Sequence, residues 1–351
     1  MVQNLDRDFW KSQRIFLTGH TSFKGSWLIA VLEYLGCDIK GYSKFLPSKP
    51  SLFNLTKFTS KYPFSENQDI LDLDYLNSEL SIYKPSVVIH FAAQSLVRKS
   101  YDFPIETFKS NIIGTANVLQ SSLENNIKRV LIITTDKVYK DVKNKTYSED
   151  DIIWGSDPYA SSKACAELVT DSYIKSFFNN DQYVATARSG NVIGGGDFSE
   201  DRIIPDIFKS IKNKTKLQIR SPNAIRPWQH VLEPIFGYLK LIENMHLGIK
   251  QSYNFGPRKE DFLKVIEIVE LLKSKNPELS YEIIDQQDNK KESKTLKLDS
   301  SSAIHDLNWK QVLNINEAID LIQDWKNIYT GKSSDAENLL KRQLNFYMQK
   351  F

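Results

Sequence analysis

Tyr159 and Lys163 stand four residues apart in a segment that opens Asp157-Pro158, a capping carboxylate followed by the residue best suited to a first helical position. On a helix that spacing puts the phenol and the ammonium on one face. An ammonium near a phenol favours the phenolate, giving a base poised nearer neutrality than a free tyrosine at about 10. Upstream, the apolar run Arg129-Val-Leu-Ile-Ile ends in Thr134, Thr135, Asp136 and Lys137. Polar side chains leaving the carboxyl end of a strand sit where open α/β sheets bind ligands. Thr135, Asp136, Lys137, Tyr159 and Lys163 are therefore the candidate catalytic set, and their chemistry is acid–base.

A second group of residues suits phosphate. Thr18-Gly-His-Thr-Ser-Phe-Lys-Gly25 joins the first candidate strand to a buried helix, where a dinucleotide pyrophosphate would meet free helical N–H groups. Ser22 stands where a strict fingerprint has a third glycine. The second candidate strand ends Gly41-Tyr-Ser-Lys44, with no acid for a ribose 2′-hydroxyl, so these residues alone leave NAD and NADP both open. Glycine makes up only 14 of 351 residues, yet Gly194, Gly195 and Gly196 are consecutive, which predicts either close backbone approach or a flexible connection. Farther on, Arg202 and Arg226 are candidate phosphate clamps, since guanidinium matches phosphate oxygens in pairs. His230 has no metal-ligand spacing to another histidine, so no metal is expected.

The elements that must carry these residues alternate. Strand candidates at 14–18, 38–42, 86–92, 129–135 and 183–188 are separated by helix-length segments at 25–35, 73–83, 106–125 and 158–178. This predicts an α/β fold with a doubly wound, Rossmann-type parallel sheet and a smaller mixed C-terminal lobe. The expected division is a cofactor domain over residues 1–190 and a substrate lobe over 191–351, with a possible return of a strand or helix to the first. The lobe holds helix candidates near 203–212, 232–245 and 262–273, a charged segment at 285–297 expected to be an exposed loop, and a terminal amphipathic helix at 334–351. The formal charge of +3, with 46 basic and 43 acidic residues, argues against nucleic-acid binding by bulk charge. Cys37 and Cys165 make no CxxC pair, and no apolar run approaches membrane-span length, so a soluble cytoplasmic protein is expected.

Phe9-Trp10, Thr18 to Trp27, His90-Phe-Ala-Ala-Gln94, Thr134-Thr-Asp-Lys137, Tyr159 to Lys163, Gly190 to Asp197 and Arg226-Pro-Trp-Gln-His-Val-Leu-Glu-Pro234 occur in that order. Together they resemble the extended short-chain dehydrogenase/reductase family, and within it the sugar-nucleotide 4,6-dehydratases that act on CDP-glucose. The resemblance implies NAD as cofactor and CDP-glucose as substrate, converted to CDP-4-dehydro-6-deoxyglucose for the deoxysugars of surface polysaccharides such as O-antigen. It implies a homodimer, or a dimer of dimers, formed through the helices at 106–125 and 158–178. By position it implies that Gly19, His20, Phe23, Lys24, Gly25, Asp69, Ile70, Phe91, Ala92, Ala93 and Asn111 bind the cofactor with Tyr159 and Lys163. Ser95, Arg98, Asn191, Arg202, Arg226 and His230 would bind the sugar nucleotide. The sequence departs from the family pattern at Ser22, at Gln68 before Asp69, and at Phe198 in place of tryptophan. It also has Lys137 where related dehydratases carry glutamate, as a base in its neutral form or as a stabiliser of enolate charge. Two other readings share these motifs. A sugar-nucleotide 4-epimerase needs no acid–base pair such as Asp136-Lys137, and a silent dinucleotide sensor would not be expected to keep Thr135, Asp136, Tyr159 and Lys163 intact.

Overall fold

The protein is described here by a computed structural model covering residues 5–284, 293 and 295–350. Six parallel strands form the central sheet: β1 (Arg14–Thr18), β2 (Asp38–Tyr42), β3 (Val87–His90), β4 (Arg129–Ile133), β5 (Tyr183–Ser189) and β6 (Ser252–Phe255). Their order is β2-β1-β3-β4-β5-β6. The order in which successive strands are added reverses between β1 and β3, so the crevice for a ligand opens at the carboxyl ends of those two strands.

Alternation along each strand divides the core between the two faces. Ile15, Leu17, Val87, Ile89, Leu131 and Ile133 pack with the helices Phe23–Leu35 and Leu232–Asn244. Phe16, Val88, Val130 and Ile132 face Leu76, Leu80, Val118 and Leu119 on the opposite side. Such strands, buried on both faces, read in sequence as continuous apolar runs.

β1 to β5 lie where the apolar runs predict them. β6 does not announce itself, because Ser-Tyr-Asn-Phe is short and carries a polar residue. Asn254 is nonetheless fully buried, accepting from the Tyr139 hydroxyl at 2.7 Å and donating to the Tyr147 carbonyl at 3.1 Å. The segment expected as one helix at 106–125 is instead Pro104–Phe108, a π-helical turn Lys109–Ile113 and Gly114–Glu124. Asn111 lies in that turn and is fully buried, and its amide donates to the Gln94 carbonyl at 3.0 Å and the Ser162 hydroxyl at 2.8 Å.

Beyond β5 the pairings are short: Leu217–Ile219 with Tyr281–Ile283, Ile225–Pro227 with Phe262–Lys264, and Val192–Ile193 with Gln229–His230. Most of the segment 285–297 lies outside the described residues. Its end is not an exposed loop, since Leu296 is buried and donates its N–H to the Ile225 carbonyl at 3.1 Å. The terminal helix Ala336–Met348 packs back on the body, and the Tyr347 hydroxyl donates to Glu233.

Candidate active site

Pro158–Ser176 is a helix because Asp157 accepts from the Ala160 N–H at its start and Pro158 sets the first turn. It carries Tyr159 and Lys163 against the end of β4. There the chain turns into a short 3₁₀ segment, Asp136–Val138, started by Thr135. These residues line one cleft of about 390 Å³, within the range of small-molecule sites.

A chain of polar contacts runs along its wall. The Thr135 hydroxyl lies near enough to Tyr159 to pull its phenol down, and Thr135 donates to Asp136 Oδ1 at 3.0 Å. The second carboxylate oxygen of Asp136, Oδ2, is buried and has no partner. A buried unpartnered oxygen calls for a donor, and Oδ2 lies close to Gly190, where an added Cβ would approach it to 3.0 Å.

The electrostatics of Tyr159 differ from the sequence expectation. Burial pushes the phenol up to about 12, against the Thr135 hydroxyl and the positive charge of Arg202, which pull down. Lys163 directs its Nζ to the Ile133 carbonyl, donating at 2.9 Å. Lys163 itself is brought down to about 8 by burial, with Glu167 opposing.

The glycine turn fits a pyrophosphate. Gly19 adopts a φ of +70°, and a Cβ there would meet the Ala92 nitrogen at 2.6 Å, while one at Gly25 would meet the Gly19 carbonyl oxygen at 2.5 Å. Only glycine lets the helix start lie this close to the strands. Ser22 is no obstacle to this geometry. Its φ of −73° is open to any residue, and its hydroxyl caps the helix by accepting from the Gly25 N–H at 3.1 Å. The N–H groups of Phe23 and Lys24 belong to the first turn, whose donors have no partner within the helix.

Of the predicted residues, Phe23, Lys24, Phe91, Ala93, Ser95, Arg98, Thr135, Asp136, Lys137, Tyr159, Lys163, Asn191, Arg202 and Arg226 line the cleft. Gly19, Gly25, Ala92 and Asn111 stand behind it as packing and positioning groups. Asp69 and Ile70 lie outside it, Asp69 paired with Lys44 at 2.7 Å and Ile70 packed on Gly114.

Two histidines lie outside the cleft lining. The His20 ring is fully buried, directed toward the Tyr62 carbonyl at 3.3 Å and edge-on to Phe53, with burial taking it down to about 4. The His230 ring lies in the core against Trp27, and burial takes it down to about 3. Neither lines the cleft, because an unpaired imidazolium in these apolar surroundings is too costly and the neutral ring packs as an aromatic. The triple glycine is explained by packing: the Trp27 indole donates to the Gly195 carbonyl at 2.9 Å, and a Cβ on Gly195 would collide with Trp325.

Sequence reasoning missed two groups. Arg220 lines the cleft, paired with Asp201 at 3.0 Å, and alternation along Leu217–Arg220 is its only signal. Glu167, one turn beyond Lys163, forms a buried ion pair with Arg188 at 2.8 Å. The described residues contain no His, Cys, Asp and Glu cluster suited to a metal and no helix long and apolar enough to cross a membrane.

This geometry has close counterparts among known proteins. The CDP-glucose 4,6-dehydratase of Salmonella typhimurium is 39% identical over 98% of both chains. Two solved structures share the fold. A Bacillus anthracis dTDP-glucose 4,6-dehydratase in complex with NAD has a TM-score of 0.77 at 18% identity, covering 93% of this chain and 100% of that one. A Bacillus cereus UDP-glucuronic acid 4-epimerase in complex with UDP-glucuronic acid and NAD has a TM-score of 0.78 at 22% identity, covering 90% and 99%. Residues 16–322 match the family described as GDP-mannose 4,6 dehydratase, and the chain belongs to that family.

Proposed function

We propose that the protein is an NAD-dependent sugar-nucleotide 4,6-dehydratase acting on CDP-glucose. The observation that carries this reading is the row Tyr159, Thr135 and Asp136 along one wall of the cleft, in which Thr135 donates to Asp136 and the second carboxylate oxygen is buried without a donor. A 4-epimerase needs the tyrosine alone. A dehydratase needs a second acid–base group a few ångströms along the sugar, where carbon 5 and carbon 6 would lie. The Salmonella relative supports cytosine as the base.

Bound NAD supplies the hydride acceptor at carbon 4 and the hydride donor at carbon 6. Tyr159 takes the proton of the carbon 4 hydroxyl, with Thr135 and Arg202 favouring the phenolate. The resulting ketone acidifies carbon 5, and Lys137 removes that proton. Asp136, which receives the Tyr159 proton by way of Thr135, passes it to the carbon 6 hydroxyl, which departs as water and leaves an enone. Lys137 returns its proton to carbon 5 as carbon 6 receives hydride, so the net change is loss of one water. Asn191, Ser95, Arg98, Arg202 and Arg226 hold the nucleotide diphosphate and sugar. Arg226 is well placed for this, since Ile225–Pro227 pairs with Phe262–Lys264 and the guanidinium donates to the Ile225 carbonyl at 3.0 Å.

The cofactor part spans residues 1–190 and the substrate part 191–351, apart from β6, in a cytoplasmic homodimer that feeds deoxysugar synthesis for surface polysaccharide. Exposed Ile105, Ile113 and Leu168 on the two long helical segments support the dimer. The test is a panel of CDP-, dTDP-, UDP- and GDP-glucose with NAD, read by mass spectrometry. Loss of one water from CDP-glucose is expected, and products of unchanged mass would favour the epimerase.

A further inference from the structure

Lys24 is a cleft-lining cation to which the proposed reaction gives no task. It leaves the first turn of the helix Phe23–Leu35, directly after the glycine turn, and its Nζ donates to Ser189 Oγ at 2.9 Å at the carboxyl end of β5. The same oxygen accepts from the Tyr238 hydroxyl at 2.8 Å, so the anchor is held from two sides. Among the described residues no carboxylate forms an ion pair with Lys24. The charged groups that face it come from three other segments: Arg202 and Asp197 from one loop, Asp136 from the end of β4 and Lys163 from the helix Pro158–Ser176.

The route through the cleft fixes what this ammonium meets. A dinucleotide with its diphosphate on the 19–25 turn and its reactive ring at Tyr159 must pass the ring beside the first turn of that helix. Lys24 bridges that gap, from the turn to β5. We propose that Lys24 places a positive charge beside the nicotinamide, disfavouring the cationic oxidised ring relative to the neutral reduced ring. The inference rests on the reading of the cleft as an NAD site. It makes Lys24 a residue that tunes hydride removal from carbon 4 through charge, without touching the sugar.

Burial, with Arg202 and Lys163 adding to it and Asp136 and Asp197 opposing, brings Lys24 down to about 7. Its charge is therefore full well below that pH and lost above it.

The experiment is calorimetric titration of NAD⁺ and NADH into the full-length protein without sugar, at about pH 6 and about pH 8, for wild type, Lys24→Met and Lys24→Arg. At the lower pH the ratio of the NAD⁺ Kd to the NADH Kd should be about tenfold or more larger in wild type than in Lys24→Met, as expected for two unit charges in a partly buried site. The wild-type ratio should shrink at the higher pH, while Lys24→Arg keeps its ratio at both. Equal ratios in wild type and Lys24→Met at the lower pH would overturn the proposal. If Lys24→Met does not fold, the wild-type and Lys24→Arg ratios decide, and a wild-type ratio independent of pH overturns it. Failure of the wild type to bind either form would instead remove the cofactor reading itself.

Discussion

Arg188 clasps Glu167 through two parallel bonds of 2.8 Å, Nε to Oε1 and Nη2 to Oε2, with both side chains 3% exposed. Thr134 and Thr186 add hydroxyl donors to the same carboxylate, and the Arg188 Nη1 reaches the Tyr139 hydroxyl at 2.8 Å. Burial raises Glu167, but Arg188 and the two hydroxyls outweigh it and hold the carboxyl below its usual range. The pair locks the helix that carries Tyr159 and Lys163 to the ends of β4 and β5. Removing one partner of such a pair leaves a buried charge uncompensated, so Glu167→Ala should cost about 3–5 kcal/mol. The double change Glu167→Leu with Arg188→Met should cost less than the single one. Urea denaturation measures both, and a single-variant loss below about 1 kcal/mol would show that the pair does not lock the helix.

Lys163 gives the site an alkaline limb. Burial lowers its ammonium to about 8, so the charge is present below that pH and is lost as pH rises through it. A free lysine would stay charged to about 10.4. kcat/KM should therefore fall above about pH 8 in wild type, and the alkaline limb should move upward in Lys163→Arg. An alkaline limb at the same pH in Lys163→Arg would assign it to another group.

Ser22 competes with the cofactor for a helix donor. Its hydroxyl occupies the Gly25 N–H, one of the few groups that a pyrophosphate would otherwise use. Wild type should thus bind NAD loosely and respond to added cofactor. Ser22→Gly should tighten NAD severalfold in calorimetry, at a stability cost of only a few tenths of a kcal/mol. Protein purified with stoichiometric NAD would contradict this.

Lys137 separates oxidation from elimination. Lys137→Met should still oxidise carbon 4, seen as NADH absorbance with CDP-glucose, while blocking exchange of the carbon 5 proton with deuterium from solvent. Undiminished exchange would eliminate Lys137 as the base.

The sheet and the group of residues that lines the cleft around Tyr159 were legible because their signals are local. Apolar runs mark strands buried on both faces, Asp157-Pro158 marks a helix start, and four-residue spacing places Tyr159 and Lys163 together. What was illegible depends on tertiary partners. β6 is a strand because Asn254 finds buried partners in Tyr139 and Tyr147, which no local pattern encodes. His20 and His230 match the motif, yet their rings fold into the core, since spacing does not say which way a side chain turns. Lys163 close to Tyr159 in sequence did not lower the phenol, because desolvation outweighs the charges around it.

The most direct measurement follows a deuterium label placed on carbon 4 of CDP-glucose during incubation with the enzyme and NAD. The account predicts a product lighter by one water that retains the label on carbon 6. A product of unchanged mass, or one lighter by water with the label lost to solvent, would contradict it.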